Sequence, residues 1–312
     1  MTLPKDTTMT ATNRDSHITV GLAPALDAPC ERIALRHRPS LAYYSDQQAS
    51  GRPLVLIHSI NAAPSSFEVK PLFEHYRQQR PVFSLDLPGF GQAGRGPANY
   101  SPEYYAEVIE TFLAQVPDQP VDLLALSLSS EFAVRATLSS PERVRSLVLI
   151  SPTGFSKRQP PPRPFSNFIH PLLAGLPWNQ PLFDLVASRR SINYYLSQSF
   201  MQQAPREMVD YAFATSHQPG ARHAPLTFLS GKLFTLQAMT KLYGQLTTHP
   251  TLVLADRDPY VRFEGLDNFI TAHANWRRGR VVPNMGLPHW EDLAATVKTL
   301  DEFWASLESS AD

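Results

Sequence analysis

What most constrains this chain is a recurring unit: a short, nearly continuous apolar run, then a loop, then a stretch with helical spacing. The runs are PLVLIHS (53–59), PVFSLDLP (81–88), VDLLALS (121–127), VRSLVLIS (144–151), TLVLADRD (251–258) and GRVVPN (279–284). They are too short for helices and too uniformly apolar for strands with one wet face, so they read as strands covered on both sides. Alternation with helices then predicts an α/β fold: a doubly wound, mostly parallel central sheet. Before the first unit, ERIALR (31–36) and LAYYSD (41–46) read as two short strands around a turn at Arg38–Pro39–Ser40. Residues 1–30 lack periodicity and read as a flexible leader.

The rhythm breaks once. From about 156 to 248 the texture changes, opening with Pro160, Pro161, Pro162, Pro164 and Pro171. Proline fixes φ and removes a donor, so the opening should be neither sheet nor long helix. Helical patterns resume at 182–215 and 226–246. The organisation expected is a core over 31–155 and 249–312, interrupted by a helical cap over 156–248. In the core, Ser101 before Pro102 and Glu103 marks a helix start.

Composition narrows the function classes. Lys plus Arg and Asp plus Glu number 28 each, a formal net charge of zero. That argues against a broad charged surface for nucleic acid or an anionic membrane and favours a small-molecule ligand. The one cysteine, Cys30, permits neither an internal disulfide nor a cysteine metal cage. No apolar run approaches a spanning helix, and a cytoplasmic protein is the expectation. The loop after 53–59 lacks the glycine pattern of a dinucleotide cradle. No metal-ligand spacing stands out, and no cofactor is implied. Oligomeric state is not legible.

The strongest chemical signal is VDLLALSLSSEF (121–132), where a strand runs directly into a helix with Ser127 at the junction and small residues, Ala125 and Ser129, two positions either side. Strand and helix nearly touch around such a turn, which lifts the serine hydroxyl and leaves the next amide at a helix N-terminus. A plain helix cap at Ser127 is the bland alternative.

These residues resemble the nucleophile elbow of the α/β-hydrolase superfamily. PLVLIHSIN (53–61) is similar to that family's strand ending in His-Gly, LDLPGFG (85–91) to its D-x-P-G-x-G loop, and TLVLADRDPYV (251–261) to the strand and turn that carry the catalytic acid. The resemblance implies a serine hydrolase. Ser127 would be the nucleophile, Asp258 the acid (with Asp256 as competitor), and the amides of Ile60 and Leu128 the oxyanion hole. His58 and Ser59 would support the loop. The base must follow Asp258 in the chain. His273 falls late in a helix, which leaves His289, in PNMGLPHWED (283–292).

Aligned on Pro288 and Glu291, the family's histidine position holds Gly286. Either the loop is rebuilt so that His289 reaches Ser127, the reading preferred from sequence, or His289 stands behind the site and the set is incomplete. The first makes turnover collapse in His289→Gln. Glu131, in the first turn after the elbow, suits the positive helix end, or alternatively faces the pocket and holds His289. The function implied is cleavage of an ester-like bond in a small, largely apolar substrate through an acyl-enzyme. The alternative is a non-catalytic binding protein on the same scaffold.

Overall fold

The computed structural model describes residues 21–175 and 178–309, so the first 20 residues of the expected leader, and residues 176 and 177 of the expected cap, lie outside it. Eight strands form one sheet among the described residues: β1 (Cys30–Leu35), β2 (Arg38–Asp46), β3 (Leu54–Ile57), β4 (Val82–Asp86), β5 (Val121–Leu126), β6 (Val144–Ile150), β7 (Thr251–Leu254) and β8 (Trp276–Gly279). Their spatial order is β1-β2-β4-β3-β5-β6-β7-β8. β2 pairs antiparallel with β1 and β4, and every other neighbouring pair is parallel.

Successive strand residues point to opposite faces, and the core divides accordingly. Val55, Ile57, Leu123, Ala125, Leu147 and Leu149 pack into one cluster, and Leu54, Leu56, Leu124, Leu126, Val148 and Ile150 into the other. The helices of the core are α1 (Lys70–Tyr76), α2 (Pro102–Gln115) and α3 (Ser129–Ser139). Phe112 of α2 and Phe132 of α3 cover the first face, while Phe73 of α1 covers the second. Both faces are dry, which is why the strand runs are continuously apolar. At the start of α2 the Ser101 hydroxyl accepts from the Tyr104 amide, as its position before Pro102 predicts.

Between β6 and β7 runs a helical insertion: α4 (Arg163–Ala174), α5 (Asn179–Val186), α6 (Arg189–Gln198), α7 (Arg206–Ser216), α8 (His223–Leu229) and α9 (Ala238–Lys241). After β7 come α10 (Leu266–Ala272), α11 (Pro288–Glu291) and α12 (Leu293–Glu308). No helix among the described residues is long and apolar enough to cross a membrane.

Four local expectations are corrected. Residues 21–29 are not loose, because Leu22, Ala25 and Leu26 are buried and the Ala25 amide donates to the Tyr44 hydroxyl. The hairpin turns at Arg36–His37 rather than at Pro39, with His37 at φ 58°. The proline-dense entry does build a helix of 12 residues, α4, with Pro162 as its cap and Pro171 inside it. The last strand is Trp276–Gly279 and not 279–284. Val282 is exposed, and Asn284 is instead held by the loop after β7, its amide donating to Asp256 Oδ2 at 3.3 Å.

Candidate functional site

In open α/β sheets the usable crevice lies beyond the carboxyl ends of the strands, and here the loops after β3, β5, β6, β7 and β8 gather there. Ser127 follows β5 directly. Its backbone is left-handed, φ 49°, and its amide donates to the Ile150 carbonyl at 2.8 Å. Holding a non-glycine residue there costs roughly 1–3 kcal/mol and persists only where the surroundings dictate it. Its hydroxyl is partly exposed and carries no hydrogen bond among the described residues. Ser151 repeats the geometry one strand over, at φ 48° with its amide on the Leu254 carbonyl.

The small residues flanking the elbow are sealed. Ala125, Ser129 and Ser130 are fully buried, and the Ser130 hydroxyl reaches the Ala125 carbonyl at 3.4 Å. Ser129 meets the steric demand but leaves its own hydroxyl buried without a partner. Ser129→Ala removes that orphan and keeps the size, so it should raise stability by about 1 kcal/mol. Chemical denaturation would read the gain, and a loss of stability would show that the hydroxyl is partnered after all.

The loop after β3 is braced from within. Leu87 donates its amide to His58 Nε2 at 3.0 Å, so that nitrogen is bare and Nδ1 carries the proton, donated to the Ser59 carbonyl at 2.5 Å. Both nitrogens are committed to hydrogen bonds within the loop, and the ring is buried. Ser59, in place of the family's glycine, is buried. Its amide donates to Glu68 Oε2 at 2.7 Å and its hydroxyl to Glu68 Oε1 at 3.0 Å. Asn61 Nδ2 donates to the same Oε1 at 2.8 Å. The amides of Ile60 and Leu128 are left without a hydrogen bond among the described residues.

Asp86, in DLPGFG, is a brace rather than a reacting group. It accepts from the amides of Ser66 and Gln92 at 2.7 Å each. Gly91, left-handed at φ 49°, is required because a β-carbon there would sit 2.0 Å from the Asp86 carboxyl carbon.

After β7 the two aspartates separate. Asp256 faces Asn284 and Arg257. Asp258 Oδ1 accepts the amides of Tyr260 and Val261 at 2.7 Å each, and its Oδ2 lies against Gly286. A β-carbon on Gly286 would stand 2.8 Å from that oxygen, and φ is 123°, a conformation reserved for glycine. The Ser151 hydroxyl donates to the Gly286 carbonyl at 3.0 Å and helps hold the Asp258 carboxylate. Burial pushes Asp258 up from 3.8 to about 6, with the two amides, Ser151 and Arg262 opposing. Thus the expected acid stands beside the position where the family pattern puts its histidine, and glycine occupies that position.

His289 is elsewhere. Pro288 starts the short helix α11, which turns the His289 ring inward to 0 % exposure. Its Nε2 donates to the Glu68 carbonyl at 2.8 Å, alongside Trp290 Nε1 at 2.7 Å. Its Nδ1 is buried without a partner, and desolvation pulls the ring down from 6.5 to about 4. Among the described residues no hydrogen bond links His289 to Asp258, or any histidine to the Ser127 hydroxyl. In this arrangement no hydrogen bond brings His289 to Ser127, and the ring is held against the Glu68 carbonyl instead. His273 also lies apart, its Nδ1 on the Phe269 carbonyl.

The alternative in which Glu131 holds His289 has no hydrogen bond behind it among the described residues. Glu131 is buried, accepting from the Thr153 hydroxyl at 2.5 Å and the Thr235 amide at 2.8 Å, and burial raises its pKa. It ties α3 to the loop after β6 and to the insertion. The residues that sequence reasoning missed are Glu68 and Ser151. Glu68 had one signal, an acid between Phe67 and Val69 just after a Ser65 cap, and Ser151 had none beyond ending a strand.

Residues 54–299 match the alpha/beta hydrolase family. The chain belongs to it. Within the hydrolase family, relatives cover only parts of this protein. A 1-acylglycerol-3-phosphate O-acyltransferase ABHD5 of Rattus norvegicus is 30% identical over 149 residues, 46% of this chain and 42% of that protein. A pimeloyl-[acyl-carrier protein] methyl ester esterase of Aliivibrio fischeri is 33% identical over 111 residues, 35% of this chain and 39% of that one. The chain thus spans less than half the length of these curated relatives. Among solved structures, a serine hydrolase involved in carbazole degradation superposes with TM-score 0.69 at 14% identity, covering 89% of this chain and 99% of its own. That likeness shows the fold alone.

Proposed function

We propose that this hydrolase-family chain binds a small, largely apolar ligand bearing an ester-like carbonyl at Ser127, and does not turn it over through a Ser–His–Asp relay. The carbonyl oxygen would accept from the free amides of Ile60 and Leu128 beside the Ser127 hydroxyl, with the inserted helices as a lid. One observation carries this reading: His289 is sealed against the Glu68 carbonyl while Gly286 stands beside Asp258. Without a base the hydroxyl is a weak nucleophile. The acyltransferase and methyl ester esterase among the relatives are named for acyl groups, which supports an acyl-type ligand.

A second reading, hydrolysis through a Ser127 acyl-enzyme, is favoured by the strained backbone at Ser127, which a mere binding hydroxyl does not need. In that case the Ser127 proton must pass to water or to a basic group of the substrate.

A fluorophosphonate probe with short p-nitrophenyl esters separates the two. The binding reading expects no labelling and ester cleavage that Ser127→Ala changes less than about threefold, against the ~10⁶ lost when a working nucleophile is removed. It also expects Ser127→Ala to weaken binding of a medium-chain alkyl methyl ketone. Stoichiometric labelling abolished by Ser127→Ala would sink it in favour of the hydrolase.

A further inference from the structure

The exposed large apolar side chains of the described residues are concentrated in one stretch of the chain. Of the eleven large hydrophobic side chains exposed among the described residues, eight fall between 163 and 201. On α4 they recur as Phe165, Phe168 and Leu172, a spacing of three and four that lays them along one stripe. The other side of α4 faces the protein, through buried Ser166 and through His170, whose ring meets the Thr227 hydroxyl. Further along the chain, Trp178, Leu185 and Tyr195 are exposed as well. Phe168 is 66% exposed, Trp178 57% and Leu185 70%. Isolated exposed hydrophobics are ordinary, but a grouped set marks a place where something docks.

The charge of a slightly longer stretch, from the loop leading into α4 through α6, is as uneven. The whole chain is neutral, yet residues 152–200 hold Lys157, Arg158, Arg163, Arg189 and Arg190 against Asp184 alone. Arg163 and Arg189 are met by Glu103 and Asp210 from outside the segment. Lys157, Arg158 and Arg190 are exposed and form no ion pair among the described residues. Exposed aromatic rings on a stretch with an excess of cations, three of them outside any ion pair, are the composition suited to a lipid headgroup layer, with Trp and Tyr at the interface and Lys and Arg on the phosphates.

We infer that the outer face of the insertion, α4 to α6, docks on an anionic lipid surface, apolar stripe first. This departs from the expectation of no membrane, which rested on the net charge of the whole chain rather than on its distribution. The docking face ends at the rim of the candidate site. The Tyr260 hydroxyl donates to the Tyr195 carbonyl at 2.8 Å, and Tyr260's own amide is held by Asp258. An apolar ligand leaving a bilayer would thus meet the site without crossing open water. The docking itself stands apart from any role of Ser127.

Flotation of the full chain with vesicles tests it. Equimolar phosphatidylcholine and phosphatidylglycerol vesicles should carry the protein upward, and phosphatidylcholine alone should not. Phe168→Ser with Trp178→Ser, and separately Lys157→Glu with Arg158→Glu and Arg190→Glu, should each lower the bound fraction about tenfold with melting temperature unchanged. Should the first variant fail to fold, the second decides. A native chain that stays below the anionic vesicles overturns the inference, and so does a charge-reversed variant that floats normally. A dimer in gel filtration that Phe168→Ser with Trp178→Ser turns into a monomer overturns it as well, since the face would then belong to a second copy.

Discussion

Replacing Gly286 by alanine is expected to destabilise the protein by about 3 kcal/mol, lowering the melting temperature by roughly 6 °C. Two costs add. A β-carbon at φ 123° is strained whatever the space around it, at about 1–3 kcal/mol. The same carbon would stand 2.8 Å from Asp258 Oδ2, and that carboxylate cannot simply swing away because its other oxygen holds the amides of Tyr260 and Val261. Displacing it costs about 1 kcal/mol more. Gly286→His should suffer similarly and so should not restore hydrolysis by itself. A melting curve for Gly286→Ala within about 1 °C of the parent would show that the loop accepts a side chain, and with it that a histidine could be accommodated there.

The second large effect is pH-dependent. His289 sits in a dry site that disfavours the imidazolium, so its pKa falls from 6.5 to about 4, the Glu68 hydrogen bond offsetting part of the drop. The unfolded chain takes up the proton near 6.5 and the folded chain only near 4. The stability this ring contributes is therefore whole above about 6.5 and is lost as pH falls towards 4, a change of about 3 kcal/mol. Asp258 works oppositely: raised from 3.8 to about 6, its contribution is whole below about 4 and is lost as pH rises towards 6. Comparing the parent with His289→Gln at each pH cancels Asp258. The parent's advantage in urea denaturation should shrink by about 3 kcal/mol between pH 7 and pH 4. An advantage flat across that range would mean that the ring is solvated.

Much of the fold could be read because both faces of the sheet are dry, so β3, β4, β5, β6 and β7 each announce themselves as uninterrupted apolar runs. The edge escaped for the converse reason. β8 has a neighbour on one side only, and Arg277 and Arg278 in it reach outward to Ser306 and Asp267, so the true strand looks polar while Val281 and Val282 beyond it imitate one. At the site, Ser127 and Asp258 lie in loops whose local sequence is distinctive. The place of His289 depends on a partner 221 residues away, the Glu68 carbonyl, and no local pattern encodes which of two loop paths makes that contact. A histidine in that loop does not by itself say which path the loop takes. The glycine three residues before it, beside Asp258, carries more of that information.

Glu68 works in two directions, its carboxylate gripping Ser59 and Asn61 and its carbonyl receiving His289 and Trp290. The loop bearing the Ile60 amide is therefore anchored through position 289 and not through position 286. A substitution at 289 would therefore be felt by the loop after β3 even though the His289 ring touches neither Ser127 nor Asp258 through a hydrogen bond among the described residues.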